Sequence, residues 1–268
     1  MGNIHSTAVV DASAKVSDST VIGPYCVIGP KVQLGENVSL NAHVVVDGRT
    51  TIGSNTTVYS FATLGFPPQH AKYKGEVSQL VIGENNTIRE HVTMHPGTEE
   101  GGMLTEVGNG CLFMVGCHVA HDCKVANNVI LTNNVALGGH VNVGEYAVIG
   151  GLTGIHQYVR IGKHSMIGGM SAVESDVIPY GSVRGNRARL SGLNVIGLRR
   201  RGFSRDDIRS LRTAYGLLFS QGGQMAERLN EVSDLFAEHR GVMDIVSFIR
   251  EDSSRAICQP IAVNGNGV

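Results

Sequence analysis

The sequence predicts an all-β solenoid, a parallel β-helix with triangular coils, followed by a small α-helical C-terminal domain. Aliphatic residues return at every sixth position through most of the N-terminal two thirds, a beat that ends after Pro179. Beyond it, apolar residues recur at helical spacing. Glycine is abundant, aromatics are few and tryptophan is absent, which suits a coiled, turn-rich backbone better than an aromatic-cored sandwich.

The sixfold register starts at Ile4 and runs through Val10, Val16, Ile22, Ile28, Leu34, Leu40, Val46, Ile52, Val58 and Leu64. It resumes at Ile82, Ile88 and Met94, and again at Val107, from which it holds to Val173. A period of six fits neither a 3.6-residue helix nor an alternating strand. It fits short strands joined by tight corners, three hexads to a triangular turn, so that each aliphatic residue points inward and stacks on the one three hexads later. Successive coils would lie about 4.8 Å apart, the interstrand distance of a sheet.

Two segments interrupt the beat, "FPPQHAKYKGEVSQLV" (66–81) and "PGTEEGGMLTE" (96–106). Insertions into a solenoid project as loops from one edge, frequently the binding face. The β-helical domain is expected to span 1–181, and 182–268 to hold a basic connector and a helical domain with a flexible tail from Ser253. In the latter, Ser204 reads as the N-cap of a helix with Asp206 and Asp207 in its first turn and Ile208, Leu211, Tyr215 and Leu218 on one face. Residues 224–239 and 241–252 read as two further amphipathic helices.

A formal charge of −1 speaks against a general nucleic-acid or membrane-surface binder. The chain has neither a signal peptide nor a long apolar span, so a cytoplasmic protein without membrane insertion is expected. "MGNIHS" fits the N-myristoylation pattern, but Ile4 already falls on the repeat and gives that segment a structural use. The five cysteines are odd in number and form no CxxC pair. Cys111, Cys117 and Cys123 stand six apart at the hexad position that elsewhere carries small buried residues such as Ala14 and Ser165, so they read as core rather than as a metal ladder.

One coil brings the chain back to the same edge. Counting from His121, His140 and His156 each fall one residue off the vertical line, so the three cluster on one edge, with His118 in reach. Gly151 and Gly169 stack on a different edge, each preceded by another glycine, and leave either a shallow slot or a relieved corner. Clustered histidines on such an edge can hold zinc with an open fourth position, act as a general base near neutral pH, or simply pack and bond to corners. Spacing alone leaves all three open.

The motifs "HVAHDC", "LGGHVNVGEYAVIGG", "GIHQY", "GGMSAV" and "GLNVIGLRRRGFSR" resemble those of the UDP-N-acetylglucosamine acyltransferases, members of the hexapeptide-repeat acyltransferase family that open lipid A synthesis in Gram-negative bacteria. The resemblance covers nearly the whole chain. It implies a left-handed coil, a homotrimer with sites between neighbouring solenoids, and transfer of a 3-hydroxyacyl chain from acyl carrier protein to the 3-hydroxyl of the UDP-sugar. It implies no metal and no cofactor of the protein's own, since 4′-phosphopantetheine arrives on the carrier. His121 falls at the family's catalytic base, Asp122 at its orienting neighbour and Gly139 at the oxyanion donor. His118, His140, His156 and Gln157 fall at site-lining positions, Lys72 and His95 at further substrate contacts, and Asn194 and Arg201 near the nucleotide. Arg200 falls on the donor side, and Gly169, with Gly151 and the adjoining Met170, in the acyl groove, where glycine accompanies longer chains such as 3-hydroxymyristoyl.

The arginines between Arg184 and Arg205 form a basic run in a neutral chain, and an acidic carrier protein is the fitting partner. Two positions depart from the family pattern: His70 stands in place of an aspartate contacting the sugar, and Ile196 in place of a glutamate near the uridine. These departures keep transfer to a 3-amino analogue of the sugar as an alternative acceptor reaction. A metal-dependent hydratase on the same scaffold is the alternative of a different class.

Overall fold

The computed structural model describes residues 3–261. The start of "MGNIHS" and the end of the tail, residues 262–268, lie outside the described residues. The coils wind left-handed into a parallel β-helix with three faces of eleven, nine and eight strands. Each hexad contributes a strand of two residues, as at Val21–Ile22 and Val27–Ile28, in which the second side chain is buried and the first faces out. Register from coil to coil is eighteen residues: Val21 pairs with Ser39, and Ile22 with Leu40. Ile22, Leu40, Val58, Ile88, Phe113, Leu131, Ile149 and Ile167 thereby form one buried column down the axis. Ile4, the next member below, is 43 % exposed, since its strand is the edge of the first face among the described residues.

Four-residue corners join the faces, and in most corners from Tyr25 onward one residue adopts a left-handed conformation. Asparagine, whose amide bonds locally, tolerates this at Asn37, Asn55, Asn85 and Asn128 on the corner between third and first faces. On the first–second corner the same position carries Tyr25, His43, Phe61 and His91, whose rings stack at centroid spacings of 5.0, 5.0 and 5.2 Å. The small fifth-position residues fill the corner interiors: Cys26, Cys111, Cys117 and Cys123 are buried, free thiols. Burial pushes the thiols of Cys111 and Cys117 up to about 11, so they are not poised as thiolates.

Both insertions fall on the second–third corner, on consecutive coils, and the coil that follows carries His121 at that corner. They are shorter than the sequence suggests, because Gln79–Ile82 and Leu104–Val107 already belong to the third face. Leu80 and Ile82 point inward there, so the strand begins two residues ahead of the hexad beat.

The basic connector is more ordered than its composition suggests. Gly181–Arg184 continues the first face and pairs antiparallel with Arg189–Leu193, and Val195–Arg200 forms a short helix, α1, capped by the Asn194 side chain. Helices α2 (Arg205–Leu218), α3 (Met225–Leu235) and α4 (Arg240–Arg250) follow, with Ser204 and Asp207 forming a reciprocal capping box at the start of α2. No helix among the described residues is long and apolar enough to cross a membrane.

Ser253–Ile261 differs from the expected flexible tail: it folds back across the last coils. Ile257 and Pro260 bridge to Asp176 and Leu190, and the Ser253 hydroxyl donates to the fully buried Asp176 carboxylate at 2.7 Å. That carboxylate also accepts the backbone N–H of Arg160 at 2.8 Å and its Nε–H at 2.7 Å, and Arg160 reaches Glu251 at the end of α4. The buried pair tethers the helical domain to the top of the solenoid, and sequence pattern alone does not show it because its members are scattered along the chain.

Candidate active site

His121 and Asp122 occupy adjacent positions on the second–third corner, and the corner geometry turns their side chains toward each other. Asp122 is the left-handed residue, at φ 61°, and its backbone N–H donates to the Thr105 hydroxyl at 2.7 Å. Its Oδ2 lies 2.7 Å from His121 Nδ1. A carboxylate only accepts, so the proton belongs on Nδ1 and the lone pair on Nε2. Both residues are buried.

The position one coil above His121 is Gly139, as the eighteen-residue count requires. A Cβ there would fall 2.5 Å from His121 Cε1 and 2.7 Å from Nε2, so only glycine lets the imidazole lie over the next corner. The neighbouring amides of Gly138 and His140 donate to the carbonyls of Ile155 and His121, whereas the Gly139 amide has no acceptor among the described residues.

Asp122, His140 and Tyr158 form the adjoining column, with the His140 ring stacked on Tyr158 at 4.3 Å and edge-on to His121 at 5.1 Å. The first insertion brings His70 edge-on to His121 at 4.8 Å. His95 contacts His118, whose Nδ1 is 2.7 Å from the Thr93 hydroxyl. His70, His95, His118 and His121, together with His156 and Gln157, bound a cleft of about 590 Å³, whereas Asp122, His140 and Tyr158 line a separate, smaller one of about 300 Å³. The floor of the first cleft is apolar and small-chained, built from Ala136, Gly154 and Ala172 on the second face. A larger groove, about 1070 Å³, runs between the third face and α4, but it holds no histidine and its Arg160 and Lys163 are paired with carboxylates.

Burial holds His95 down at about 4, with His118 and His121 adding to the effect, and it also lowers His118 and His140, the latter against the opposing pull of Asp122. Burial thus disfavours the charged form of His95, His118 and His140. His121, Asp122 and His140 also offer a set of three ligand atoms within 4.8 Å. Donors sharing a tetrahedral zinc at about 2.1 Å stand roughly 3.4 Å apart. The 2.7 Å between Nδ1 and Oδ2 is instead hydrogen-bonding distance, and Oδ2 already accepts from Thr98, so these residues are arranged as a bonded pair.

The remaining predicted residues lie elsewhere. Lys72 is exposed and pairs with Glu100 at 2.8 Å, tying the two insertions together. Asn194 caps α1 and donates to the His164 carbonyl, while Arg201 donates to the Tyr146 carbonyl and sits over its ring. Asn194, Arg200, Arg201 and Ile196 thus belong to the third–first corner. Gly151, Gly169 and Met170 belong to the first–second corner, where the Met170 N–H donates to the Gly151 carbonyl and its side chain is 77 % exposed. Within one chain the histidine cleft does not include either group. Sequence reading missed Thr98, Thr105 and Arg255; the last donates from the C-terminal segment to His156 Nδ1 at 2.7 Å, a contact no local signal marks.

A family model described as UDP N-acetylglucosamine O-acyltransferase, domain 2, matches residues 176–258. The acyl-[acyl-carrier-protein]–UDP-N-acetylglucosamine O-acyltransferase of Caulobacter vibrioides is 52 % identical over 202 residues, 75 % of this chain and 77 % of that one. The protein of the same name from Methylobacterium radiotolerans is 55 % identical over 202 residues, 75 % and 74 % of the two chains. Among solved structures, the UDP-N-acetylglucosamine O-acyltransferase of Moraxella catarrhalis superposes with a TM-score of 0.94 at 41 % identity, covering 96 % of this chain and all of that one. The Francisella novicida UDP-N-acetylglucosamine acyltransferase gives 0.93 at 38 % identity, covering 97 % and 95 %.

The depressed pKa of His95 sets a pH dependence. The unfolded imidazole takes up a proton near pH 6.5 and the folded one only near 4, so stability is complete above the first value and falls as pH drops toward the second. Between about pH 7.5 and about pH 5 this single group should remove about 1–2 kcal/mol. Denaturant unfolding of wild type and His95→Gln at both pH values checks this, and an equal loss in the two proteins would exclude His95 as the cause.

Proposed function

Since the chain belongs to the acyl-[acyl-carrier-protein]–UDP-N-acetylglucosamine O-acyltransferase family, we propose that it transfers a 3-hydroxyacyl chain from acyl carrier protein to the 3-hydroxyl of UDP-N-acetylglucosamine, with His121 as general base, at the first step of lipid A synthesis. The observation that carries this reading is the His121–Asp122 pair, which leaves Nε2 unprotonated beside Gly139 in the cleft. Nε2 takes the sugar hydroxyl proton as the oxygen attacks the thioester carbonyl. The free Gly139 amide is placed to donate to the resulting oxyanion. Collapse expels the phosphopantetheine thiolate, which takes the proton back from the imidazolium, so no covalent enzyme intermediate is needed. Asp122 holds the ring in the required tautomer and offsets the positive charge that develops on it.

His70, His118, His140 and His156, with Gln157 and the exposed Lys72, supply hydrogen bonds for the acceptor sugar. The relatives are named O-acyltransferases, which favours the hydroxyl over the 3-amino acceptor. Asn194, Arg200 and Arg201 meet the cleft if a second solenoid brings its third–first corner alongside, and the exposed arginines from Arg184 to Arg205 then flank the opening and suit an acidic carrier.

His121→Ala should lower turnover about 10²–10⁴-fold or more while leaving the fold and UDP-sugar binding intact. Near-normal turnover in a carrier-to-sugar transfer assay would remove His121 from the role.

The functional unit is a homotrimer. Tyr25, Phe61, Leu152 and Met170 leave 58, 50, 62 and 77 % of their surface exposed in one column along the first–second corner, an apolar edge that a neighbouring copy would cover. Light scattering should give three times the 28.5 kDa chain mass, and an active monomer would contradict the assembly.

Gly169 sets the acyl length. A Cβ at Gly169 would stand 3.2 Å from the Gly151 carbonyl oxygen and 3.7 Å from its nitrogen, so a side chain is accommodated there only if that backbone gives by a few tenths of an ångström. Wild type should prefer 3-hydroxymyristoyl, or a chain within two carbons of it, and Gly169→Met a shorter one. Each methylene contact is worth about 0.8 kcal/mol, so a two-carbon mismatch changes selectivity by roughly tenfold. Competition among hydroxyacyl carriers of different length reads the ruler directly, and an unchanged preference in the variant would exclude it.

A further inference from the structure

We propose that Thr98, carried by the second insertion, is the positioning residue of the His121–Asp122 pair; the inference rests on the general-base reading of His121. Thr98 is 2 % exposed and does not face the cleft. Its backbone N–H donates to Asp122 Oδ1 at 2.8 Å and its hydroxyl to Oδ2 at 2.6 Å. The Asp122 side chain has no exposed surface, so no water competes for these oxygens. With both oxygens anchored from one residue, rotation about the Cβ–Cγ bond is fixed, and Oδ2 presents its remaining lone pair to His121 Nδ1. Without the hydroxyl, the carboxylate is steered mainly by the imidazole it has to orient. A second histidine then competes for it: His140 Nε2 stands 3.8 Å from the same Oδ2, just beyond hydrogen-bond reach.

The loop also fits around the carboxylate in space. A Cβ at Gly101 would lie 1.9–2.3 Å from the three carboxylate atoms; one at Gly97 would meet the Leu104 and Met103 backbone first, at 2.1 and 2.5 Å, and Oδ1 at 2.7 Å. Neither glycine has a left-handed φ, so close approach rather than backbone freedom is what requires glycine there. Thr98 donates, Gly97 and Gly101 make room, and Thr105 holds the Asp122 backbone from the strand that ends the same insertion. A loop built this tightly around one buried carboxylate sets the direction of His121 Nε2.

The test uses the full chain with Thr98→Val, Thr98→Ser and Gly101→Ala, and His121→Ala as reference. Removing an outer partner that orients a reacting group typically costs about 10–100-fold in activity. Thr98→Val should lower kcat by that factor with KM for the UDP-sugar within about twofold of wild type. Thr98→Ser, which keeps the hydroxyl, should return kcat to within about threefold. Gly101→Ala keeps Thr98 but displaces the carboxylate, and should match Thr98→Val, so the positioning role can still be tested should the valine variant fail to fold. Wild-type kcat in Thr98→Val, or a serine variant as impaired as valine, would overturn the proposal. If His121→Ala retains turnover the base assignment itself fails; if His121→Ala is inactive while Thr98→Val and Gly101→Ala are normal, only the positioning role is lost.

Discussion

Coil-to-coil backbone hydrogen bonding in a fixed eighteen-residue register is the constraint on which everything else in this molecule depends. Each two-residue strand bonds to its equivalents above and below, as Ile130 and Leu131 do to Val148 and Ile149. A strand of two residues has no stability of its own; it persists because its inward side chain stacks on identical positions in both neighbours, burying roughly 1.5–3 kcal/mol of apolar surface each. A slip of one residue would turn every inward aliphatic outward, so the register cannot drift.

That rigidity makes the three corners act as three vertical columns, each holding a different chemistry. Histidines, Asp122 and Gly139 share one; Tyr146, His164 and the α1 contacts share another; the aromatic ladder, Gly151, Gly169 and Met170 share the third. The vertical contact between His121 and Gly139 exists because the two positions are one coil apart and differ in having a Cβ. Side chains held on so stiff a frame need little further preorganisation, except where one can still rotate. The Asp122 carboxylate is such a place, and the insertion preceding it supplies the restraint.

The helical domain closes the open upper end of the coil. Arg160, on the last coil of the third face, has only 12 % of its side chain exposed, and it binds Asp176 on one side and Glu251 on the other. Its guanidinium also lies 4.4 Å over the Phe248 ring of α4. A buried charge of this kind is costly unless its partners are in place, and α4 and the C-terminal segment both meet it, through Glu251 and through Ser253 on Asp176. The result fixes His156 and Gln157 at the upper lip of the cleft through Arg255.

By itself the sequence determined the solenoid, its period and its inward residues, because a hydrophobic beat of six admits few other folds. Counting by eighteen also placed His121, Gly139 and Gln157 in one column and Gly151 and Gly169 in another, since a register without slips turns sequence distance into height. The motif resemblance named His121 and Asp122 as a pair. What only the tertiary structure decided lies where the beat is interrupted. Inside "PGTEEGGMLTE" there is no period, so nothing in the string shows that Thr98 faces Asp122 or that Gly97 and Gly101 are spaces for its carboxylate. The connector read as a charged link, because the hairpin and α1 depend on contacts with His164, Tyr146 and the last coils rather than on local propensity. The stretch from Ser253 to Ile261 read as part of a flexible tail for the same reason: its place is set by Asp176, seventy-seven residues from Ser253.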